Sequence, residues 1–389
     1  MSLRDYPSAA SRRSFLEKEL SVTLSHIGSH TLSEAAVRAK NCENLIGAAQ
    51  VPVGIAGPLL LNDKSGRRKT YYLPLATTEG ALVASVSRGC KAITVSGNAI
   101  SVVQRVGVTR GPVFKVKDSF EVMKLQGFVK RYFETLKKEA ASTSEHLTLT
   151  QCNIVPAGPY VFIRFYFDTQ DAMGMNMATI ATDKMVARIE RETHIPCIAV
   201  AGNFDIDKKP AWLNAIGMRG WTVRSEVLLS ADVVKRILRT TPEKFYDVWL
   251  AKCMVGSALS GSMGFNAQFA NVIAALFIAT GQDAAHVVEG SVGMTIVEVR
   301  KKEVYVAVHL PSLMVGTVGG GTELATQQEA LQLMGVAGTG KVAEFASVVG
   351  GAVLAGEISL LASLAEGSLA HAHEILARGN PKSEIRSSK

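Results

Sequence analysis

Two short stretches hold residue types able to do electrostatic and acid–base chemistry. In GNFDIDKKP, Gly202 to Pro210, Asp207 precedes Lys208 and Lys209 just ahead of Pro210, where an earlier helix cannot continue. A lysine held near a carboxylate on such a loop can clamp a developing oxyanion. A solvated charge cluster would give the same tripeptide, and spacing alone does not separate the two readings. In TTEGALVASVSRGCKAI, from Thr77, either threonine offers an N-cap and places Glu79 in the first turn of a helix lined with small residues. A carboxylate at a helix start is well placed for chemistry. His371 and His373 are two apart, so on a helix they face different ways and cannot share a metal, although one of them can donate a proton.

Several glycine-rich stretches invite a nucleotide reading, and each has a plain alternative. GVAGTGKV, Gly335 to Val342, satisfies G-x-x-x-x-G-K but carries Val342 where a phosphate loop needs Ser or Thr. QQEALQLM before it reads as a helix, so a helix-to-helix turn is expected there. GTVGGG, Gly316 to Gly321, follows the strand-like VYVAVHLP and either lets backbone N–H groups approach an anion or makes a tight turn. DAMGMNMAT, Asp171 to Thr179, sets three methionines around Asn176; periodicity favours core packing for them.

These stretches need a scaffold. The 389 residues fit two or three domains, and 47% apolar against 20% charged residues excludes a disordered chain. The first forty residues, 1–40, read as a helical arm. Residues 112–199 run strand (PVFKVKD), charged helix (Ser119 to Ala141), strand (YVFIRFYFD), helix (about Ala172 to Thr193) and strand (CIAVAGNF). That order predicts a small ferredoxin-like α+β domain inserted into a larger one made of 41–111 and 200–389. Residues 243 to 280, rich in Gly, Ala and Ser and apolar nearly all round, predict the long buried central helix of the larger domain.

The excess of 42 Lys and Arg over 34 Asp and Glu, +8, favours anionic partners without choosing among them. The five cysteines lie far apart with no C-x-x-C pair, so free thiols in a reducing cytoplasm are expected and no metal site is. Neither a signal peptide nor a transmembrane helix is expected, because the N-terminus lacks an apolar core and Glu357 interrupts the apolar run from Val348 to Ala365.

Taken together, ENLIGAAQVPVGIAGPL, ATTEGALVASVSRGCKAI, DAMGMNM, GNFDIDKKP, GSALSGSMGFNAQFAN, GQDAAHVVEGS and LPSLMVGTVGGGT resemble the 3-hydroxy-3-methylglutaryl-coenzyme A (HMG-CoA) reductase family. The motifs follow the family's order across about 40 to 378 and are similar to its archaeal and eukaryotic class. The resemblance implies reduction of HMG-CoA to mevalonate and coenzyme A by two NADPH, on a homodimer or dimer of dimers whose site spans the interface. No nucleic acid or membrane partner is implied.

By the same resemblance, Lys208 stabilises charge on the reacting oxygen and Glu79 donates a proton, for which its carboxyl must be shielded from water. Asp283 lies between them and tunes both, while His373 protonates the departing thiolate. Arg110, Asp207, Lys209, Lys252 and Asn271 fall at substrate positions, and Ser85 and Arg88 at coenzyme A positions. Asp171, Met175, Asn176, Val318 and Gly319 fall at dinucleotide positions, with Lys130, Arg131 and Arg378 near the 2′-phosphate. Two readings compete: an acyltransferase with Cys90 as nucleophile and His373 as base, and a non-catalytic coenzyme A binder.

Overall fold

The computed structural model describes residues 3–62 and 66–367; His371, His373 and Arg378 lie outside the described residues. The chain is a mixed α and β structure built around one ten-stranded sheet system. Strands β1 (Val53–Asn62) and β2 (Arg68–Ala76) pair antiparallel, and the end of β1 runs parallel to β3 (Ala99–Arg110). Beyond β3 the order continues through β8 (Gly220–Leu229) and β10 (Glu303–Leu313) to β9 (Met294–Arg300), all antiparallel.

Strand β3 joins this sheet to a second one. Its last residues, Val108 to Arg110, pair with Phe165 to Phe167 of β6 (Tyr160–Asp168). The second sheet has the order β7 (Cys197–Ala199), β4 (Val113–Lys115), β6, β5 (Thr148–Ala157), every pair antiparallel. Helices Ser119–Arg131, Phe133–Ala141 and Met175–Thr193 bury their apolar residues, among them Leu125, Leu136 and Met185, in a core of its own with Phe114 and Phe165. The first of these helices starts where the Asp118 carboxylate accepts the N–H groups of Phe120 and Glu121, an N-cap of the strongest kind. Strand β5 was not expected from the sequence, because its alternating burial leaves only Leu149 fully covered.

The central helix is a different segment from the one the sequence suggested. Residues 243–280 break into Pro242–Trp249, a π-helical stretch Leu250–Gly256, the short Ser257–Leu259, a loop, and Phe269–Thr280. The break falls at Ser260, Gly261, Ser262 and Gly264, where Gly261 takes a left-handed φ of 68° and the Ser262 hydroxyl binds the backbone of Gly264. Such residues offer the chain local alternatives to a helix. The spine is instead Val342–Glu366, 25 residues long and buried along nearly its whole length against β3, β8 and β10. It is long and apolar enough to cross a membrane, but 78% of its apolar window is covered by protein, which fits a core helix.

Helix Leu82–Val95 lies so close to this spine that a Cβ on Gly89 would fall 1.9 Å from the Ala355 carbonyl oxygen. Full burial of Val86, Ile93, Val349, Leu354 and Ile358 between these layers contributes about 1.5–3 kcal/mol per side chain. The segment Gly335–Lys341 is the expected helix-to-helix turn, between Ala325–Leu333 and the spine. Residues 1–40 carry the helices Ala9–Leu20, Ser25–Gly28 and Glu34–Lys40, and Arg12 is buried beneath them, donating to the Leu45 carbonyl at 2.8 Å.

Candidate active site

Lys208 and Asp283 meet, with Nζ 2.7 Å from Oδ2. The loop carrying Lys208 is backbone-strained: Asn203, Ile206 and Lys208 have φ of 62°, 53° and 57°, a region that side-chain-bearing residues enter at a cost of about 1–3 kcal/mol each. The surroundings fix it there. Arg219, fully buried on the approach to β8, donates to the Ile206 carbonyl at 2.9 Å, to Asp207 at 3.2 Å and to Glu289 at 2.8 Å. The Asn214 amide holds the carbonyls of Ile206 and Lys209. Asp283 starts a helical turn and accepts the Ala285 N–H at 3.1 Å. Burial alone would push its carboxyl up, but hydrogen bonds from Lys208 and Ala285, with the nearby His286 and Lys208 charges, outweigh that and hold it below the usual carboxylate value.

The GQD turn is locked from behind. A Cβ on Gly281 would lie 2.2 Å from the Gly321 carbonyl oxygen, and one on Gly321 would lie 2.4 Å from that of Gly281. The Gln282 amide oxygen also accepts the Gly316 N–H at 2.9 Å. GTVGGG therefore packs directly on the Asp283 turn. On its other side it meets DAMGMN: Thr317 N–H donates to the Asp171 carbonyl at 2.8 Å, and Ala172 bridges to Val318.

Glu79 sits outside the helix it was expected to start. Its N–H donates to the Thr77 hydroxyl, and the helix begins only at Leu82, after Ala81 at φ 75°. The left-handed step at Ala81 delays the helix by three residues and leaves the Glu79 carboxylate exposed, 3.4 Å from the Asn271 amide. Among the described residues, no hydrogen bond or ion pair within one chain joins the Glu79–Asn271 pair to the Lys208–Asp283 pair.

The sequence profile of the hydroxymethylglutaryl-coenzyme A reductase family matches residues 8–378. Among curated relatives, the 3-hydroxy-3-methylglutaryl-coenzyme A reductase of Methanothermobacter thermautotrophicus is 47% identical over 95% of this chain and 93% of its own. The enzyme of that name from Methanocaldococcus jannaschii is 46% identical over 94% and 92%. The chain belongs to this reductase family. Its fold also matches the class II 3-hydroxy-3-methylglutaryl-CoA reductase from Streptococcus pneumoniae bound to NADPH, with a TM-score of 0.67 at 17% identity over 94% of this chain and 100% of that one.

The remaining positions suggested by resemblance to the reductase family fall into three places. Lys252, on the π-helical stretch, and Pro210 of DKKP line one polar cleft of about 460 Å³ with Ser257, Ser260, Asn266 and Ser291. Lys209 is exposed beside it in sequence. Arg110 does not reach toward solvent: it is buried and paired with Asp205 at 2.9 Å, which leaves it holding the strained loop rather than offering a free charge.

Arg88 lines a second cleft, of about 640 Å³, together with Ser87, Lys91, Arg236 and Arg239. Its guanidinium also binds the Ser359 hydroxyl at 3.0 Å, the same hydroxyl that receives Ser85. Lys91, Arg236 and Arg239 were not anticipated, because they converge on Arg88 only in the folded chain.

The dinucleotide candidates are mixed. Asn176 is exposed, whereas Met175 is buried in the core of the second sheet with its sulfur 3.1 Å from Arg219, and Met173 and Met177 pack beside it; core packing explains the methionine pattern. Asp171 is buried, and its carboxylate accepts the N–H groups of Gly340, Lys341 and Val342 at the start of the spine, where the helix dipole favours negative charge. Gly319 and Gly320 have left-handed φ values, and a Cβ on either would meet nothing within 4 Å, so their backbone is open to a ligand. Lys130 and Arg131 are exposed at the end of helix Ser119–Arg131.

Asp207, His286 and Glu289 converge closely, and the cation they surround is the Arg219 guanidinium. Cys90 is fully buried in the core, and burial pushes its thiol up to about 12. A thiol with so little thiolate, out of reach of substrate, cannot serve the acyltransferase reading.

Proposed function

We propose that this chain reduces HMG-CoA to mevalonate and coenzyme A at a site built on the Lys208–Asp283 ion pair, and that pair is the observation that carries the reading. NADPH bound over the open glycines of GTVGGG would supply the hydride for each of two steps. In the first, the thioester carbonyl becomes a hemithioacetal oxyanion, which the Lys208 ammonium stabilises. Collapse of the hemithioacetal releases the thiolate, and His373 gives it a proton. In the second, the aldehyde oxygen takes up charge at Lys208 again, and Glu79 supplies the proton that completes the alcohol.

The ligands find matching surfaces. The polar cleft holding Lys252 suits the substrate's carboxylate, with Asp207, Lys209 and Asn271 bordering the reacting groups. The cleft bearing Arg88, Lys91, Arg236 and Arg239 suits the phosphates of coenzyme A. Lys130, Arg131 and Arg378 are the candidates for the 2′-phosphate that separates NADPH from NADH. Met175 and Asp171 serve by shaping and anchoring the DAMGMN loop, while Asn176 from that loop and Val318 from GTVGGG face the cofactor.

The antiparallel order β7-β4-β6-β5 with helices between supports reading 112–199 as a ferredoxin-like insertion. A homodimer, or a dimer of dimers, in the cytoplasm follows from the same reading: a second chain would shield the exposed Glu79 and bring it to Lys208. The test is consumption of NADPH and of NADH by the wild-type enzyme on addition of HMG-CoA. Two NADPH oxidised per mevalonate formed, with NADH slower, supports the proposal; no oxidation of either defeats it and favours a coenzyme A binder.

A further inference from the structure

Directly behind the ion pair lies a buried histidine with one nitrogen unused. His286 is fully buried. Its Nδ1 is 2.7 Å from Glu289 Oε1. That oxygen also accepts from the Arg219 guanidinium at 2.8 Å and from the Lys208 backbone N–H at 3.3 Å, so Nδ1 faces it as a donor. Nε2 has no hydrogen-bond partner and points at Asp283 Oδ2 from 3.8 Å. A lone pair facing that carboxylate would be repelled, whereas an N–H facing it is attracted. The charged groups around the ring are Asp207, Asp283 and Glu289 against Arg219 and Lys208, three negative and two positive. That surplus of negative charge favours an N–H rather than a lone pair at Nε2.

We propose that His286, oriented by Glu289, is a positioning residue for Asp283: its Nε2–H takes hold of the carboxylate when the Lys208 ammonium turns from Asp283 to the substrate oxygen. Asp283 then keeps its place through both reductions although its lysine partner leaves it twice. A shift of less than the length of a bond closes the 3.8 Å gap to hydrogen-bonding distance. The proton stays on the ring throughout, so no bond is made or broken at His286. The inference rests on the proposed pairing of Lys208 and Asp283 in catalysis.

Two amides separate the ring nitrogens. His286→Asn keeps a donor near Nδ1 for Glu289 but cannot reach Asp283, and His286→Gln places an amide N–H near Nε2. The expected result is a fall in kcat of about 10- to 100-fold for the asparagine variant, with KM for HMG-CoA little changed, since a small misplacement of a catalytic group costs that much. The glutamine variant should recover most of the loss. In an Asp283→Asn background, His286→Asn should cause no further loss, because its effect passes through Asp283. Wild-type kcat in His286→Asn, or an equal deficit in the two folded amide variants, overturns the proposal while leaving the Lys208–Asp283 reading intact. Unchanged turnover in Asp283→Asn alone would instead defeat that reading.

Discussion

Removing the Lys208 ammonium should cost the reaction far more than it costs the fold. At an effective dielectric of about 20, an ammonium roughly 3 Å from the developing oxyanion attracts it by about 5 kcal/mol. The Asp283 carboxylate, 2.7 Å from Nζ before the substrate oxygen is engaged, sits farther from the oxyanion and takes back about 3 kcal/mol at roughly 5 Å. The charge-assisted hydrogen bond adds about 1.5–3 kcal/mol, for a net of about 3–5 kcal/mol, or about 10²- to 10⁴-fold in kcat. The ion pair is more than a third exposed on both sides, so its contribution to stability is at most about 1 kcal/mol. Lys208→Ala, followed by the loss of NADPH absorbance with HMG-CoA, should therefore show a collapsed kcat beside a nearly unchanged melting curve. A folded Lys208→Ala enzyme with kcat within about tenfold of wild type would refute the oxyanion argument.

Other outcomes follow from single contacts. Cys90→Ala should retain full turnover and lose about 1 kcal/mol of stability from the small cavity. Activity abolished with the fold intact would revive the nucleophile reading. Asp171→Ala leaves three N–H groups at the start of the spine without their carboxylate and should lower stability by about 2–4 kcal/mol in denaturant titration; a change under about 0.5 kcal/mol would contradict the anchoring role. Asp283 has its carboxyl lowered in the folded chain, so its stabilising contribution is complete above the ordinary carboxylate value and disappears as pH falls through the folded value. Asp283→Asn should accordingly flatten the acid side of the stability profile, and an unchanged acid slope would show that the pair does not form in solution.

How far the sequence reaches is clear from particular residues. Strand-like runs locate β6 (YVFIRFYFD) and β10 (VYVAVHLP), and the charged segment from Ser119 locates the helix there, because those signals are local. The spine was misplaced, since both 243–280 and 342–366 are apolar on most sides and only the Ser and Gly residues at 260–264 tell them apart. The motifs DKKP and GQD mark the two halves of the Lys208–Asp283 pair, 75 positions apart in sequence, but nothing local announces that Arg219, His286 and Glu289 close around them. A charged residue such as Glu289 in the run HVVEGS was the available hint, because an ionisable group among apolar neighbours must be paired if it is buried. Glu79 was assigned to a helix first turn because threonine caps suggest it, and the left-handed φ at Ala81 is invisible in a sequence where alanine normally favours helix.

The central claim is that Lys208 with Asp283 and Glu79 from a neighbouring chain converge on one carbonyl. Co-expressing differently tagged Lys208→Ala and Glu79→Gln chains, and purifying the hybrids through both tags, tests it most directly. Each hybrid dimer would contain one site with both residues intact, so activity should return to about half of wild type per dimer. Hybrids as inactive as the two parents would show that Lys208 and Glu79 do not act together across an interface.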